Sequence, residues 1–140
     1  MATDIISWNL NSISAKYPFL QLLKHDFAPF VLCLQETNLE PSQNFTLKNY
    51  NFYRRDDIPD AHAKGGVAIA IQSKYRSDEI QLQTIIQAVA ARTYFEKLLT
   101  ICTIYLHHSL PLDQQELQKL FSQLATPFLV TGDFNVHSTL

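Results

Sequence analysis

Residues 128–135, FLVTGDFN, decide the fold, because an apolar segment of strand length ends directly in an acid and an amide. The same design occurs in VLCLQE at residues 31–36 and in IISWNLN at residues 5–11. In open α/β sheets, ligands bind in the crevice outside the carboxyl ends of the strands. The sequence therefore predicts an α/β fold in which Glu36 and Asp133 reach one cleft at a sheet edge.

Length and composition fit a single domain. A chain of 140 residues buries roughly two-thirds of the surface of its unfolded form. The apolar residues, 46% of the total, lie in short runs, far below the ~20 residues of a membrane span. No basic-then-apolar signal pattern opens the chain, so we expect an intracellular protein. A net charge of −2 neither indicates nor excludes a nucleic-acid partner, since a cleft that holds a divalent cation can bind phosphate.

The cysteines and the paired histidines do not indicate zinc. Cys33 and Cys102 lie in apolar strand-like runs without C-x-x-C spacing, which favours buried, reduced thiols. His107 and His108 are adjacent but have no further ligands at zinc spacing, which is typical of a solvent-exposed loop.

Two amphipathic helices are predicted. Leu20, Leu23 and Phe27 recur at helical spacing behind Pro18, which indicates a helix over Pro18–Asp26 with the proline near its first turn. Farther along, an Asp113 capping box, with its glutamate three residues later, precedes an apolar stripe that Pro127 closes.

Strands are predicted where apolar and β-branched residues form runs between turn residues. These runs cover residues 5–8, 30–34, 67–71, 98–106 and 128–131, with one or two further strands between Gln83 and Phe95. The polar stretch from Arg54 to Lys64 is predicted to be a loop.

Each candidate site residue also has a structural explanation. Glu36 can be a surface glutamate that opens a loop, and Tyr105 a core aromatic. The other candidates are turn formers and can simply make Asx-type turns: Asn9, Asn11, Asp133 and Asn135. The joint pattern favours a site, because unrelated turns have no reason to place such groups at the same ends of separate strands.

Five short motifs occur in the order seen in the endonuclease/exonuclease/phosphatase superfamily, which includes exonuclease III and DNase I. They are WNLN (8–11), LQET (34–37), GGVA (65–68), IY (104–105) and GDFN (132–135). With YRRD (53–56) and the VH that follows GDFN, the chain most resembles the endonuclease domain of arthropod jockey-like non-LTR retrotransposons. The resemblance implies a DNase I-like, four-layer α/β sandwich.

The resemblance also implies a phosphodiesterase that nicks DNA with Mg²⁺, or alternatively Mn²⁺. Glu36 would be the principal metal ligand, a hard oxygen donor suited to an ion that keeps several waters. Asn11 stands where some relatives carry a metal-associated Asp, and Asn9 would hold the scissile phosphate.

The remaining site residues would carry the chemistry. Asp133 would orient and deprotonate the attacking water, or its histidine partner, and Asn135 would stabilise the charge that grows at phosphorus. Tyr105 would contact the phosphate or the leaving oxygen. By resemblance the protein would be nuclear and accompany a reverse transcriptase.

Two departures from the family pattern qualify this expectation. His107 and its neighbours follow Tyr105 where relatives carry a proline- or asparagine-bearing loop. The terminal Ser-Asp-His of the family does not occur, and His137 follows Asn135 too closely to replace it. We therefore expect residues 1–140 to be the endonuclease domain without its C-terminal part, weak or inactive in isolation.

An incomplete sheet would leave apolar surface uncovered. We expect such surface at Phe128–Val130 and at Ile101–Ile104, where it would invite self-association.

Two other functions stay open. One is a phosphatase or lipid phosphodiesterase on the same scaffold, because fold kinship does not select a substrate. The other is a noncatalytic remnant or interaction module.

Overall fold

The computed structural model describes residues 4–57, 65–106 and 113–134. Within these ranges the elements form two four-stranded sheets, of order β1-β2-β4-β3 and β5-β6-β7-β8. The elements are β1 (Ile5–Asn9), α1 (Ile13–Phe27), β2 (Val31–Gln35), β3 (Tyr50–Arg55), β4 (Val67–Gln72), β5 (Ser77–Ile80), β6 (Gln87–Phe95), β7 (Lys97–Tyr105), α2 (Gln114–Phe121) and β8 (Phe128–Asp133).

Three apolar cores separate four layers. Val31 and Cys33 of β2 pack between the two sheets, whereas Leu32 and Leu34 pack beneath α1. This division follows from the two-residue period of a strand, and it explains why β2 is continuously apolar. The third core lies between the second sheet and α2, where Leu120 is fully buried. The predicted α/β sandwich of the DNase I type is therefore confirmed in its layers.

Helix α1 begins five residues earlier than predicted, at Ile13 instead of Pro18. Ser12 caps it, because the Ser12 hydroxyl accepts a hydrogen bond from the N–H of Ala15 at 3.3 Å. Pro18 lies inside the helix, where its missing N–H removes one backbone bond. Burial of Ile13 compensates for this loss, since it anchors the first turn in the core. The predicted cap of α2 at Asp113 is confirmed, with Oδ1 accepting from Gln115 N at 3.0 Å.

Two strands were not predicted. β3 includes Arg54 and Arg55, which the sequence assigned to a loop, and β5 is a short polar strand. Both lie at sheet edges and are only partly buried, so neither carries a continuous apolar run. β6 is a single strand that pairs with β5 and β7, and its residues Ala88–Ala91 are buried.

The predicted uncovered surface is partly wrong. Ile101 and Ile104 are fully buried, because the first sheet covers one face of β7 and α2 covers the other. Phe128 and Leu129 are each 38% exposed on β8, which is an edge strand. Self-association through that edge stays a prediction.

Among the described residues, neither helix is long and apolar enough to cross a bilayer.

Gly132 is required by the contact between β7 and β8. It pairs with Ile104 at φ 147°, a conformation that favours glycine, and a Cβ would strike the carbonyl group of Ile104. We expect Gly132→Ala to lower the free energy of unfolding by at least about 2 kcal/mol in urea titrations. The neighbouring Thr131→Ala should cost less, about 1 kcal/mol. Equal losses in the two variants would contradict this account.

Candidate active site

Four strand ends meet at one edge of the sandwich. In the parallel pair β1–β2, Asn9 lies opposite Gln35, and in the parallel pair β7–β8, Tyr105 lies opposite Asp133. Each parallel pair therefore ends at this edge of its own sheet. The polar side chains of the two sheets are in contact there.

Two hydrogen bonds between predicted site residues join the sheets at this edge. Asn9 Nδ2 donates to Asp133 Oδ2 at 3.0 Å, and the Tyr105 hydroxyl donates to Glu36 Oε1 at 3.1 Å. The structure thus brings together four of the residues that the strand-end pattern selected, although 124 and 69 positions separate the partners. We call Asn9, Glu36, Tyr105 and Asp133 the strand-end cluster.

Backbone hydrogen bonds hold the loop that carries Glu36. Ser12 N donates to Glu36 O at 2.9 Å, and Ile13 N donates to Thr37 O at 3.0 Å. Glu36 itself adopts a left-handed φ of 52°. A non-glycine residue in this region costs of order 1–3 kcal/mol and persists only where its surroundings fix it. The first turn of α1 thus positions Glu36.

Gly65 and Gly66 support the same loop from the other side. Asn38 N donates to Gly65 O at 2.8 Å, and Gly65 N donates back to Asn38 Oδ1 at 2.7 Å. A Cβ on Gly66 would lie 2.7 Å from the hydroxyl oxygen of Thr37. The glycine pair therefore lets β4 approach the Glu36 loop closely.

Gln35 lies beneath the cluster and was not predicted as a site residue. Its buried Nε2 donates to Thr103 Oγ1 at 2.8 Å in the opposite sheet and to Ser7 Oγ at 3.1 Å. The only sequence signal was a polar side chain at the end of an apolar strand. Gln35 acts as a positioning residue, because it ties β2, which delivers Glu36, to β7, which delivers Tyr105.

The remaining predicted residues are placed differently. Asn11 contributes its backbone N–H, which donates to Asn9 Oδ1 at 3.2 Å. Within the described ranges, no hydrogen bond joins the Asn11 side chain to the cluster. Asn135, His107, His108 and His137 lie outside the described residues.

The phenol of Tyr105 is held in its neutral form. Burial raises the pKa of Tyr105 to about 12, and the neighbouring carboxylates of Glu36 and Asp133 add to the rise. The hydroxyl is therefore a proton donor in hydrogen bonds at neutral pH. Because folding raises the pKa of Tyr105, the neutral phenol contributes to the free energy of unfolding. That contribution is complete below about pH 10 and is lost as the pH rises through about 12.

The donor set of the cluster fits a hard cation. Among the described residues, no group of three or more His, Cys, Asp or Glu side chains could cage a metal ion. The cluster instead offers carboxylate, amide and phenol oxygens. Mg²⁺ commonly keeps several waters and uses only one or two protein carboxylates. These residues therefore fit Mg²⁺ better than a structural zinc or a fully caged calcium.

Residues 6–140 match the Endonuclease/Exonuclease/phosphatase family, and the chain belongs to it. A curated relative, the probable RNA-directed DNA polymerase from transposon X-element of Drosophila melanogaster, is 24% identical over 138 residues. That match covers 96% of this chain and 15% of the relative. The resemblance to retrotransposon endonucleases is thereby confirmed.

Solved structures share the fold. The endonuclease domain of TRAS1, a telomere-specific non-LTR retrotransposon, matches with a TM-score of 0.76 at 16% identity, over 96% of this chain and 61% of that one. The 3′ phosphatase NExo from Neisseria, bound to product DNA hairpin, matches with a TM-score of 0.66 at 19% identity, over 94% and 57%. The chain thus spans about three-fifths of the length of these structures.

The contact between Tyr105 and Glu36 can be tested by titration. At pH 11, ultraviolet difference spectra of wild type against Tyr105→Phe should show that Tyr105 is largely protonated. Glu36→Gln should increase its ionised fraction at that pH, because the carboxylate that opposes phenolate formation is removed. Glu40→Gln, at an exposed position, is the control and should change nothing. An unchanged Tyr105 titration in Glu36→Gln would refute the contact.

The bond between Asn9 and Asp133 can be measured with a double-mutant cycle. Asn9→Ala, Asp133→Ala and the double variant should show a coupling of about 1–2 kcal/mol in urea unfolding, because the acceptor is charged. Single-variant effects that add within about 0.5 kcal/mol would mean that the two side chains do not interact.

Proposed function

We propose that this chain is the DNA-nicking, metal-dependent phosphodiesterase part of a non-LTR retrotransposon protein. The observation that carries the proposal is the pair of hydrogen bonds that bring Asn9, Asp133, Glu36 and Tyr105 to one sheet edge. Family membership and the X-element relative support the substrate class.

Glu36 and the amide oxygen of Asn11 would hold Mg²⁺, with Mn²⁺ as the alternative. The bound cation would offset the negative charge of the scissile phosphate. The carboxylate of Glu36 contributes a charged ligand at a fixed place, since backbone bonds hold its loop. Asn11 contributes a neutral ligand, so the affinity for the cation rests mainly on Glu36.

Asp133 accepts a proton from the attacking water. Its carboxylate is oriented by Asn9 Nδ2, so the base keeps one rotamer while water and phosphate approach. Asn9 also contacts the phosphate. One side chain therefore positions both the phosphate and the base, Asp133.

In-line hydrolysis that leaves a 3′-hydroxyl breaks the P–O3′ bond. Water attacks phosphorus and gives a proton to Asp133, while the electron pair of the P–O3′ bond goes to O3′. The O3′ oxygen takes a proton from solvent, and the products are a 3′-hydroxyl and a 5′-phosphate. The 3′-hydroxyl is the end that can prime reverse transcription.

With substrate bound, the Tyr105 hydroxyl would turn its one proton from Glu36 Oε1 to a phosphate oxygen or to the leaving oxygen. It is suited to this role because burial and the two carboxylates keep the phenol neutral. Asn135 is proposed to donate to the charge that grows at phosphorus. Both side chains act as hydrogen-bond donors and keep their protons.

The proposal extends to the whole protein. Residues 1–140 span about three-fifths of the matched solved structures and 15% of the X-element relative, and we propose that a longer nuclear protein carries the rest of the endonuclease domain and a reverse transcriptase. Loss of one catalytic acid or base commonly costs about 10²-fold to 10⁴-fold in rate. The isolated chain should therefore nick DNA weakly.

Plasmid nicking at excess protein tests this function. We expect slow, Mg²⁺-dependent relaxation of supercoiled plasmid that EDTA abolishes, and a further loss of about 10²-fold or more in Glu36→Gln and Asp133→Asn. Glu40→Gln and Asp78→Asn, at exposed positions, are matched controls and should retain the wild-type rate. Circular dichroism checks that each variant is folded.

Three results would overturn the proposal. Nicking that persists in both site variants would place the activity elsewhere. Release of inorganic phosphate from small phosphomonoesters without nicking would indicate a phosphatase. Absence of nicking, together with a calorimetric Mg²⁺ titration that shows no heat dependent on Glu36, would indicate a noncatalytic remnant.

A further inference from the structure

A basic cavity lies at the end of the first sheet that is remote from the strand-end cluster. It has a volume of about 370 Å³ and is lined by Lys24, Ala28, Asn49, Tyr50 and the segment 72–74. In β4, Val67 pairs with Gln35 beside the cluster, whereas Gln72 lies at the opposite end of the strand. Five residues of extended chain separate these ends by roughly 16 Å.

Two lysines line this cavity, and a third lies close to one of them. Lys24 comes from α1 and Lys74 from the turn after β4, and both line it. Lys48 precedes Asn49 and is close enough to Lys24 to lower the pKa of Lys24, together with the larger effect of burial. Across the described residues, no carboxylate lies within ion-pair distance of any of the three. Positive charge is thus concentrated here in a chain whose net charge is −2.

The C-terminal end of α1 accounts for only one of these charges, that of Lys24 in its last turn. Lysines near a helix C-terminus commonly offset its partial negative charge. Here the carbonyls that follow the helix accept from neutral groups: Gln72 Nε2 donates to Ala28 O at 2.7 Å, and the Tyr50 hydroxyl donates to Pro29 O at 2.6 Å. Lys48 and Lys74 lie outside the helix altogether.

The neighbouring side chains keep Lys24 at the cavity. Its Nζ lies 5.5 Å from the centre of the Tyr50 ring and 3.5 Å from Gln21 Oε1. The only oxygen acceptor that Lys24 Nζ meets among the described residues is thus neutral and at the limit of hydrogen-bond distance. An ammonium group has three donors, so this lysine can still bind an anion.

We propose that this cavity is a second phosphate-binding site, which takes a phosphodiester of a nucleic-acid strand or a free phosphate group. Phosphate is the class of ligand because tetrahedral oxyanions fit several point-like ammonium donors, with Asn49 and Ser73 available as neutral donors. The proposal does not rest on the proposed nuclease function, since the two sites lie at opposite ends of the sheet.

Binding experiments in EDTA test the site without nuclease chemistry. Fluorescence anisotropy would follow a labelled oligonucleotide at several salt concentrations, and ³¹P NMR would follow inorganic phosphate. The double variant K24Q/K74Q should bind the oligonucleotide at least ~10-fold more weakly, with the slope of log K against log [salt] smaller by about 1–2. The control K97Q/K119Q removes the same charge at other positions and should stay near wild type.

Each outcome decides the proposal. Loss of binding confined to K24Q/K74Q supports a nucleic-acid phosphodiester as the ligand. Loss of the ³¹P response to inorganic phosphate in that variant, with oligonucleotide binding unchanged, supports a free phosphate. Equal losses of binding in K24Q/K74Q and in the control would overturn the proposal. Unchanged binding of both ligands in K24Q/K74Q would overturn it as well.

Discussion

Hydrogen bonds between the two sheets are the constraint on which the rest of the structure depends. Apolar contact between packed sheets is non-directional, so it does not by itself fix how one sheet lies on the other. Sheets pack about 10 Å apart, and only long polar side chains reach across that gap. Gln35 does so toward Thr103, and Tyr105 does so toward Glu36. The groups that form the candidate site therefore also align the sandwich.

The sequence predicted the buried elements better than the edge elements. β2, β4 and β7 were found because both faces are covered, which produces continuous apolar runs. β3 and β5 were missed because polar residues interrupt them and make them resemble loops, whereas the edge strands β1 and β8 were predicted from their apolar runs. Pro18 predicts too late a start for α1, because proline favours the first turn of a helix. The cap at Ser12 sets the actual start.

The site was predictable where chain order alone decides position. Residues at the ends of parallel strands share an edge, so Asn9, Glu36, Tyr105 and Asp133 could be selected without coordinates. Gln35 could not, because its importance comes from Thr103, which lies 68 positions away in another sheet. The left-handed φ of 45° at Asn11 could not be predicted either, because it depends on how the chain turns between β1 and α1.

The backbone at Glu36 provides an argument for function that is independent of resemblance. Its φ of 52° is a conformation that glycine or asparagine adopts more readily than glutamate. Glutamate is thus a strained choice at this position, although Glu96 in the turn between β6 and β7 has a similar φ of 61°. Its contact with Tyr105 does not explain the choice, because a neutral acceptor would serve that hydroxyl while raising its pKa less. The strain at Glu36 therefore supports, alongside the resemblance, the proposal that this sheet edge holds a carboxylate as the ligand of a cation.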